Sequence, residues 1–221
     1  MKVLPDGRGR SRLWYETDEI EQITADALKN ADLWPLGEPG AIDIERLLEV
    51  NLGADVDYAG DLDRFTLGYT EFEVPPLVVV NRKLTDMAHA ANASLGLLGR
   101  WRATLAHEAA HILLHTRLYV AGDASAKQKT VRCLRTEIHA GPEARDWREF
   151  QANMGMAALL MPRGPFLDQA RAMLETRGPV FPPLDPTSLD GAWLTESLAG
   201  RFRVSRQAAR FRLASFGFLS K

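Results

Sequence analysis

Two histidines and a glutamate lie close together in the segment HEAAH. On a helix, His107 and His111 would share one face, about 6 Å apart along the axis, so both imidazoles could bind one metal ion. Glu108 would lie beside that ion, where a carboxylate can accept a proton from an attacking water molecule. The motif therefore predicts a peptidase with Zn²⁺ as cofactor, His107 and His111 as ligands, and Glu108 as catalytic base.

A zinc site of this kind needs a third protein ligand. We favour Glu149, because Asn153 follows it one helical turn later and could hydrogen-bond a metal-binding histidine and fix its tautomer. His115 continues the face of the motif but lies about 12 Å along the axis from His107, too far to share the ion. We expect solvent or backbone groups to satisfy His115. The other acidic candidates that remain open are Glu137, Glu143 and Asp146.

Residues around the motif narrow the type of site further. The metzincin pattern requires glycine and histidine where this chain has Leu114 and Arg117, so that subclass is excluded. A peptidase also needs a donor to the tetrahedral oxyanion, and Tyr119 or His139 could supply it. His139 is more typical of a loop residue than of a metal ligand.

The composition excludes some functions and leaves others open. A chain of 221 residues with 46% hydrophobic side chains can bury the core of one domain, or of a domain with a small appendage. The net charge of −2 gives no overall case for binding nucleic acid or anionic lipid. A single cysteine, Cys133, excludes an internal disulfide and favours the cytoplasm. No apolar stretch has the length of a membrane span or a signal peptide.

Hydrophobic periodicity predicts that two helices carry the candidate site. The first follows Gly99, contains HEAAH and is buried on one side; the second ends at Pro162 and contains Glu149 and Asn153. Asp43 is a candidate N-cap, and Gly53 a candidate left-handed C-terminal residue, of an earlier helix. The predicted helices span residues 17–31, 42–53, 100–120, 146–161 and 165–177, followed by a helical tail from 193.

Short segments rich in β-branched and aromatic residues predict a small sheet at residues 54–60, 64–74 and 77–81. Leu77 to Val80 is apolar throughout, which is typical of a strand covered on both faces. Leu77 to Asn81 could also offer a strand edge to an extended substrate loop. We expect residues 1–15 to form a frayed arm and the polar stretch around residues 121–130 to be irregular.

The tail from residue 192 is basic, and Ser205 is a candidate helix N-cap within it. The segment FRVSRQAARFRL resembles the turn and second helix of a helix-turn-helix. The tail could therefore bind DNA, with the zinc site structural or sensory, or it could dock a protein substrate. Its local charge is +5, from Arg201, Arg203, Arg206, Arg210, Arg212 and Lys221 against Glu196.

The segments HEAAHILLH and EFQANMGMAALLMP resemble the ImmA/IrrE family of bacterial and phage zinc peptidases. The family pattern is a HExxH helix followed by glutamate, two residues, Ala-Asn, an apolar stretch and Leu-Met-Pro, here Leu160 to Pro162. Ala109 and Ala110 replace the Leu-Gly that is usual inside the family's motif. The resemblance implies a substrate: a helix-turn-helix transcriptional repressor, whose cleavage releases stress, phage or mobile-element genes.

Together these features predict an α+β fold. We expect a zincin-like metallopeptidase domain whose small β-sheet packs on the HExxH helix, with a small C-terminal helical segment that is HTH-like. The predicted boundaries are 1–36 for an N-terminal arm and helix, 37–178 for the peptidase domain, and 179–221 for a linker and the C-terminal helices.

Overall fold

The computed structural model of the chain describes residues 2–5, 11–37, 39–120, 130–134 and 147–220. Five of the six strands that it describes lie in the first half of the chain, and the elements after the sixth strand are all helices, a mixed α+β fold as predicted. The strands are β1 (Lys2–Pro5), β2 (Ser11–Trp14), β3 (Asp55–Gly60), β4 (Thr66–Glu71), β5 (Leu77–Asn81) and β6 (Thr130–Leu134). The α-helices are α1 (Thr17–Asn30), α2 (Ile44–Arg46), α3 (Arg82–Ala88), α4 (Leu95–Val120), α5 (Trp147–Leu160), α6 (Arg163–Arg177), α7 (Leu189–Phe202) and α8 (Arg206–Ser215).

The main sheet has the strand order β3-β5-β4-β6. β5 runs parallel to β3 and antiparallel to β4, and β4 is antiparallel to β6. The three predicted strands are confirmed, as is the burial of β5, whose residues 78–81 are all buried. The predicted free edge at Leu77 to Asn81 is wrong, because β5 is hydrogen-bonded to a neighbour on each side. β6 was not predicted: it begins at Thr130, inside the stretch expected to be irregular.

The N-terminal residues correct a second prediction. In place of a frayed arm, β1 and β2 pair antiparallel, with Lys2 opposite Trp14. The Trp14 ring stacks on Phe150 of α5 at a centroid distance of 6.4 Å, so the hairpin contacts a helix of the candidate site.

The predicted helix at residues 42–53 is only partly α-helical. Asp43 caps it through a hydrogen bond from the Arg46 amide, and Gly53 has a φ of 63°, both as predicted. Between them the chain is α-helical only at Ile44–Arg46 and continues as a π-helix over Leu47–Asn51. Leu47 and Leu48 are fully buried in this wider turn.

α4 is the central element of the fold and begins five residues earlier than predicted. Glycines at positions 96 and 99 argue against helix there, but tertiary packing overrides that propensity. At Gly99 a Cβ atom would lie only 2.5 Å from the Ser205 amide nitrogen, so the helix approaches the α7–α8 turn closely. The helix was expected to be buried on one side, yet it is enclosed more widely. Its fully or almost fully buried residues include Trp101, Leu105, Ala106, Ala109, Ala110 and Leu114.

α5 packs against α4 with almost no space between the two backbones. A Cβ atom at Gly155 would lie 2.7 Å from the Cβ atom of Ala110, closer than real side chains approach. Ala109 and Ala110, the two small residues inside the HEAAH motif, are both fully buried. The absence of side-chain bulk at these positions sets the distance between the two predicted ligand-bearing helices.

The C-terminal helices share the core. Phe166 of α6 lies 5.3 Å from Phe202 of α7 between ring centroids. Ser205 caps α8 by accepting a hydrogen bond from the Ala208 amide, as predicted. Leu184 exchanges backbone hydrogen bonds with Phe218 and Ser220, which ties the proline-rich segment to the end of the chain. Two predictions about this part of the chain remain predictions. One is that α7 and α8 form a DNA-binding helix-turn-helix, and the other is that the domains divide after residues 36 and 178.

We predict that Gly155→Ala lowers the free energy of unfolding by about 1–3 kcal/mol, because the added methyl group forces α5 away from Ala110. The matched control is Gly200→Ala in α7, where nothing lies within 4 Å of the new atom. This control should raise stability by about 0.5–1 kcal/mol through helix propensity. Urea unfolding of both variants measures the difference, and equal stability of Gly155→Ala and the unaltered chain would contradict close packing here.

Candidate metal centre

α4 and α5 bring two imidazoles and one carboxylate to a common point. The Nε2 atoms of His107 and His111 are 3.0 Å apart, and the Glu149 oxygens lie 3.0 Å from His107 Nε2 and 3.3 Å from His111 Nε2. All three residues are buried. Among the residues that the structure describes, no other group of His, Cys, Asp or Glu side chains converges in this way.

This donor set fits a divalent metal ion. Bonds of about 2.0–2.2 Å in tetrahedral geometry place donor atoms roughly 3.3–3.6 Å from one another, slightly farther than in the present triangle. Three donors from two rigid helices also match the ligand number of a catalytic zinc site, which leaves a fourth position open. The structure thus brings together the three residues that the sequence predicted as ligands.

Asn153 orients the first of the two histidines. Its side-chain oxygen lies 3.1 Å from Nδ1 of His107, one helical turn along α5 from Glu149. An amide oxygen only accepts hydrogen bonds, so Nδ1 is the donor in this contact, and the lone pair of Nε2 would be available to a metal ion bound at the centre. Asn153 thus lies where the sequence predicted, within hydrogen-bonding distance of a histidine of the motif.

His115 behaves differently from the prediction. It is not part of the converging group, as expected, but it is fully buried rather than satisfied by solvent or backbone. Its Nδ1 lies 3.1 Å from Nδ1 of His111, and its Nε2 lies 3.2 Å from the side-chain oxygen of Gln151. The reason is the packing of α5 along the motif face of α4, which brings Gln151 over a position where the sequence predicted contact with solvent or backbone.

Glu108 is fully buried beside the histidines and is held by the sheet. The Thr70 hydroxyl of β4 donates a hydrogen bond of 2.7 Å to Oε2 of Glu108. Oε1 has no hydrogen-bond partner among the described residues. A Cβ atom at Gly68 would lie 3.6 Å from Oε1 and 2.9 Å from the Thr104 side chain, so a glycine there lets β4 approach α4.

Burial and the neighbouring histidines shift the pKa values of the two acidic groups in opposite directions. It raises the pKa of the Glu108 carboxyl to about 7, against the opposing effects of His107 and the Thr70 hydrogen bond. For Glu149, burial acts in the same direction, but hydrogen bonds and charges from His107 and His111 outweigh it and hold the pKa well below its usual range. Burial also lowers the pKa of His111, which favours the neutral imidazole that a metal ion requires.

Sequence reasoning missed Thr70, Gly68 and Gln151. A signal for the first two exists: Thr66, Gly68 and Thr70 alternate along β4 and would share one face of a strand. Gln151 carries no such signal, because its partner His115 lies on another helix. Several earlier candidates lie outside the described residues: Glu137, His139, Glu143, Asp146 and the side chain of Tyr119.

A cavity of about 480 Å³ lies among α1, α4, α5 and α8 and shares Asn153 with the candidate centre. Its lining is mainly apolar, and it includes two exposed aromatic residues, Phe150 and Phe211. None of the helices that the structure describes combines the length and apolar character needed to cross a bilayer.

A family model described as the IrrE N-terminal-like domain, of peptidase family M78, matches residues 98–214. The chain belongs to this metallopeptidase family. The match begins in α4, ends in α8 and includes all three converging residues, Glu108 and Asn153. It therefore confirms the resemblance to the ImmA/IrrE peptidases, and protein substrates follow from the family. No curated protein matches the chain.

We predict that Glu149→Gln weakens binding of a divalent ion by more than about 100-fold. Loss of a residue that only hydrogen-bonds a metal ligand costs up to about 100-fold in metal affinity, and loss of a ligand itself should cost more. The reason is that a neutral amide replaces the one anionic donor. Glu175→Gln in α6 is the matched control, because Glu175 is exposed and far along the chain from the centre. Equilibrium dialysis with Zn²⁺ measures both variants. Unchanged binding by Glu149→Gln would exclude this carboxylate as a ligand.

Proposed function

We propose that this protein is a zinc-dependent endopeptidase that cleaves a helix-turn-helix transcriptional repressor and so derepresses stress, phage or mobile-element genes. One observation carries the enzymatic part: a buried carboxylate with one oxygen lacking a described partner lies next to two histidines and a glutamate that converge on one point. The proposed ligands are His107, His111 and Glu149. Zinc follows from the chemistry of two imidazoles and one carboxylate.

The bound ion would supply Lewis-acid activation of a water molecule and of the substrate carbonyl group. Glu108 performs the proton transfers. Thr70 holds Oε2 in place, so that Oε1 is the atom that accepts a proton from the attacking water and passes it to the leaving amine.

Asn153 and Thr70 hold the site from two different elements, α5 and β4. Asn153 fixes the tautomer of His107 through Nδ1, and Thr70 fixes the Glu108 carboxylate from the sheet. The groups that touch the reacting atoms are therefore held by hydrogen bonds from α5 and β4. Such preorganisation keeps a catalytic carboxylate from rotating away from its proton.

We predict that Glu108→Gln binds zinc as tightly as the unaltered chain and loses at least about 10²-fold in kcat, the range associated with a general base. The amide has the same shape and can still accept the Thr70 hydrogen bond, but it cannot take a proton. Zinc binding and cleavage of a protein substrate are measured on the same preparation. Full activity of Glu108→Gln would end the peptidase proposal.

The repressor substrate is supported by the ImmA/IrrE family, whose members act on repressors commonly encoded beside them. We expect a helix-turn-helix repressor encoded by a neighbouring gene to be cut at one site by the unaltered chain. The repressor should stay intact when a chelator has removed the metal ion. Gel analysis and mass spectrometry of the products measure this. If a generic unfolded protein is cut but the repressor is not, the substrate assignment fails while the peptidase assignment remains.

DNA binding by the C-terminal helices is the weaker alternative. Two of the arginines on which the predicted basic face depends bind other groups of the protein. Arg212 is buried, and its guanidinium donates to the Glu21 carboxylate and to the Met161 carbonyl oxygen at 2.8 Å. Arg206 forms an ion pair with Glu196. Fewer cations are thus available for phosphate groups than the sequence indicated, which favours a tail that completes the core or docks the substrate.

A further inference from the structure

Two buried polar side chains, His115 and Gln151, continue in a row from His111, away from the point where the donor atoms converge. His111 Nδ1 lies 3.1 Å from His115 Nδ1, and His115 Nε2 lies 3.2 Å from the Gln151 oxygen. His111, His115 and Gln151 are each fully buried. The catalytic steps described above use neither His115 nor Gln151, although placing them in the core is costly unless their hydrogen bonds are satisfied.

The protons in this row can be ordered in only two ways. Each neutral imidazole carries one proton, so a hydrogen bond between two Nδ1 atoms requires one donor and one acceptor. If Gln151 accepts from His115 Nε2, then His115 Nδ1 is an acceptor and His111 Nδ1 is the donor. The lone pair of His111 Nε2 is then directed to the centre. If the Gln151 amide nitrogen donates instead, every proton shifts, and Nε2 of His111 is protonated and blocked.

The side-chain orientation of Gln151 corresponds to the first order. Its oxygen faces His115, and its amide nitrogen has no hydrogen-bond partner among the described residues. Asn153 plays the equivalent part for the other histidine, with its oxygen facing His107 Nδ1. Both histidines of the motif thus contact an acceptor through Nδ1, directly for His107 and through His115 for His111.

We propose that His115 and Gln151 are positioning residues that hold His111 in the tautomer whose Nε2 binds the metal ion. This inference rests on the metal centre proposed above. His115 acts through His111 and never touches the ion, since it lies outside the converging group. Outer hydrogen-bond partners of metal-binding histidines commonly affect metal affinity by about 10–100-fold.

Two substitutions at one position separate orientation from packing. His115→Phe keeps a ring of similar size and removes the acceptor, whereas His115→Asn places an amide oxygen close to the position of Nδ1. We expect His115→Phe to bind zinc about 10–100-fold more weakly and His115→Asn to recover most of that loss. Zinc dissociation constants are measured by competition with a chelator. The visible spectrum of the Co²⁺-loaded variants reports whether the coordination geometry has changed.

A change in Gln151 tests the far end of the row. Gln151→Leu leaves His115 in place but removes the acceptor that keeps its proton on Nε2, so zinc should bind more weakly than in the unaltered chain. Nitrogen-15 NMR of the zinc-loaded chain should show His111 protonated at Nδ1.

Leu174→Ala in α6 is the control for stability alone. Because Leu174 is buried, the melting temperature should fall without a change in zinc affinity.

The inference is overturned if folded His115→Phe binds zinc as tightly as the unaltered chain, or if His115→Asn is as weak as His115→Phe. These outcomes do not depend on proteolysis. A chain that binds zinc with the expected dependence on His115 but cuts no protein would contradict the proposed function and leave the positioning role intact. If the chain cuts a repressor but its zinc affinity does not depend on His115, the proposed function stands and the positioning role is contradicted.

Discussion

The close packing of α5 on α4 is the constraint on which the rest of the structure depends. Gly155 and Ala110 let the two helices approach until a side chain at position 155 would have no space. At that distance Glu149 reaches the two histidines of the motif, Asn153 reaches His107, and Gln151 reaches His115. Wider spacing would break all of these contacts together, because they cross the same interface.

The consequence is a polar centre inside an apolar core. Glu108, Glu149 and three histidines are buried among side chains such as Leu105 and Leu114, where isolated charges are strongly unfavourable. The contacts among these groups offset part of that cost, and a bound cation would offset more. The sheet also stabilises this polar centre, because Gly68 and Thr70 of β4 lie against Glu108 and the Thr70 hydroxyl donates a hydrogen bond to it. Stability and function therefore use the same residues.

The local parts of the site could be predicted from the sequence. Helical spacing predicted that His107 and His111 would share one face, and the one-turn interval between Glu149 and Asn153 predicted that both would face the motif, which is where these side chains lie. Cap chemistry at Asp43, Gly53 and Ser205 was also correct. These features depend on residues a few positions apart, where the geometry of a helix leaves little choice.

The parts that failed depend on contacts between distant segments. The pairing of β6 with β4 joins residues more than fifty positions apart. The apolar pattern of β5 likewise does not indicate that this strand pairs with both β3 and β4. His115 lies at the expected distance along the helix, but its burial depends on Gln151 of α5. Arg212 looked like a surface cation and instead pairs with Glu21 in α1. In each case tertiary packing decided the outcome.

Anomalous diffraction at the zinc absorption edge, from crystals of the zinc-loaded protein, tests the central claim most directly. The account predicts one strong peak between α4 and α5, within about 2.0–2.2 Å of Nε2 of His107, Nε2 of His111 and a carboxylate oxygen of Glu149. A peak at another group of residues, or a Glu149 side chain turned away from an ion held by the histidines, would contradict it.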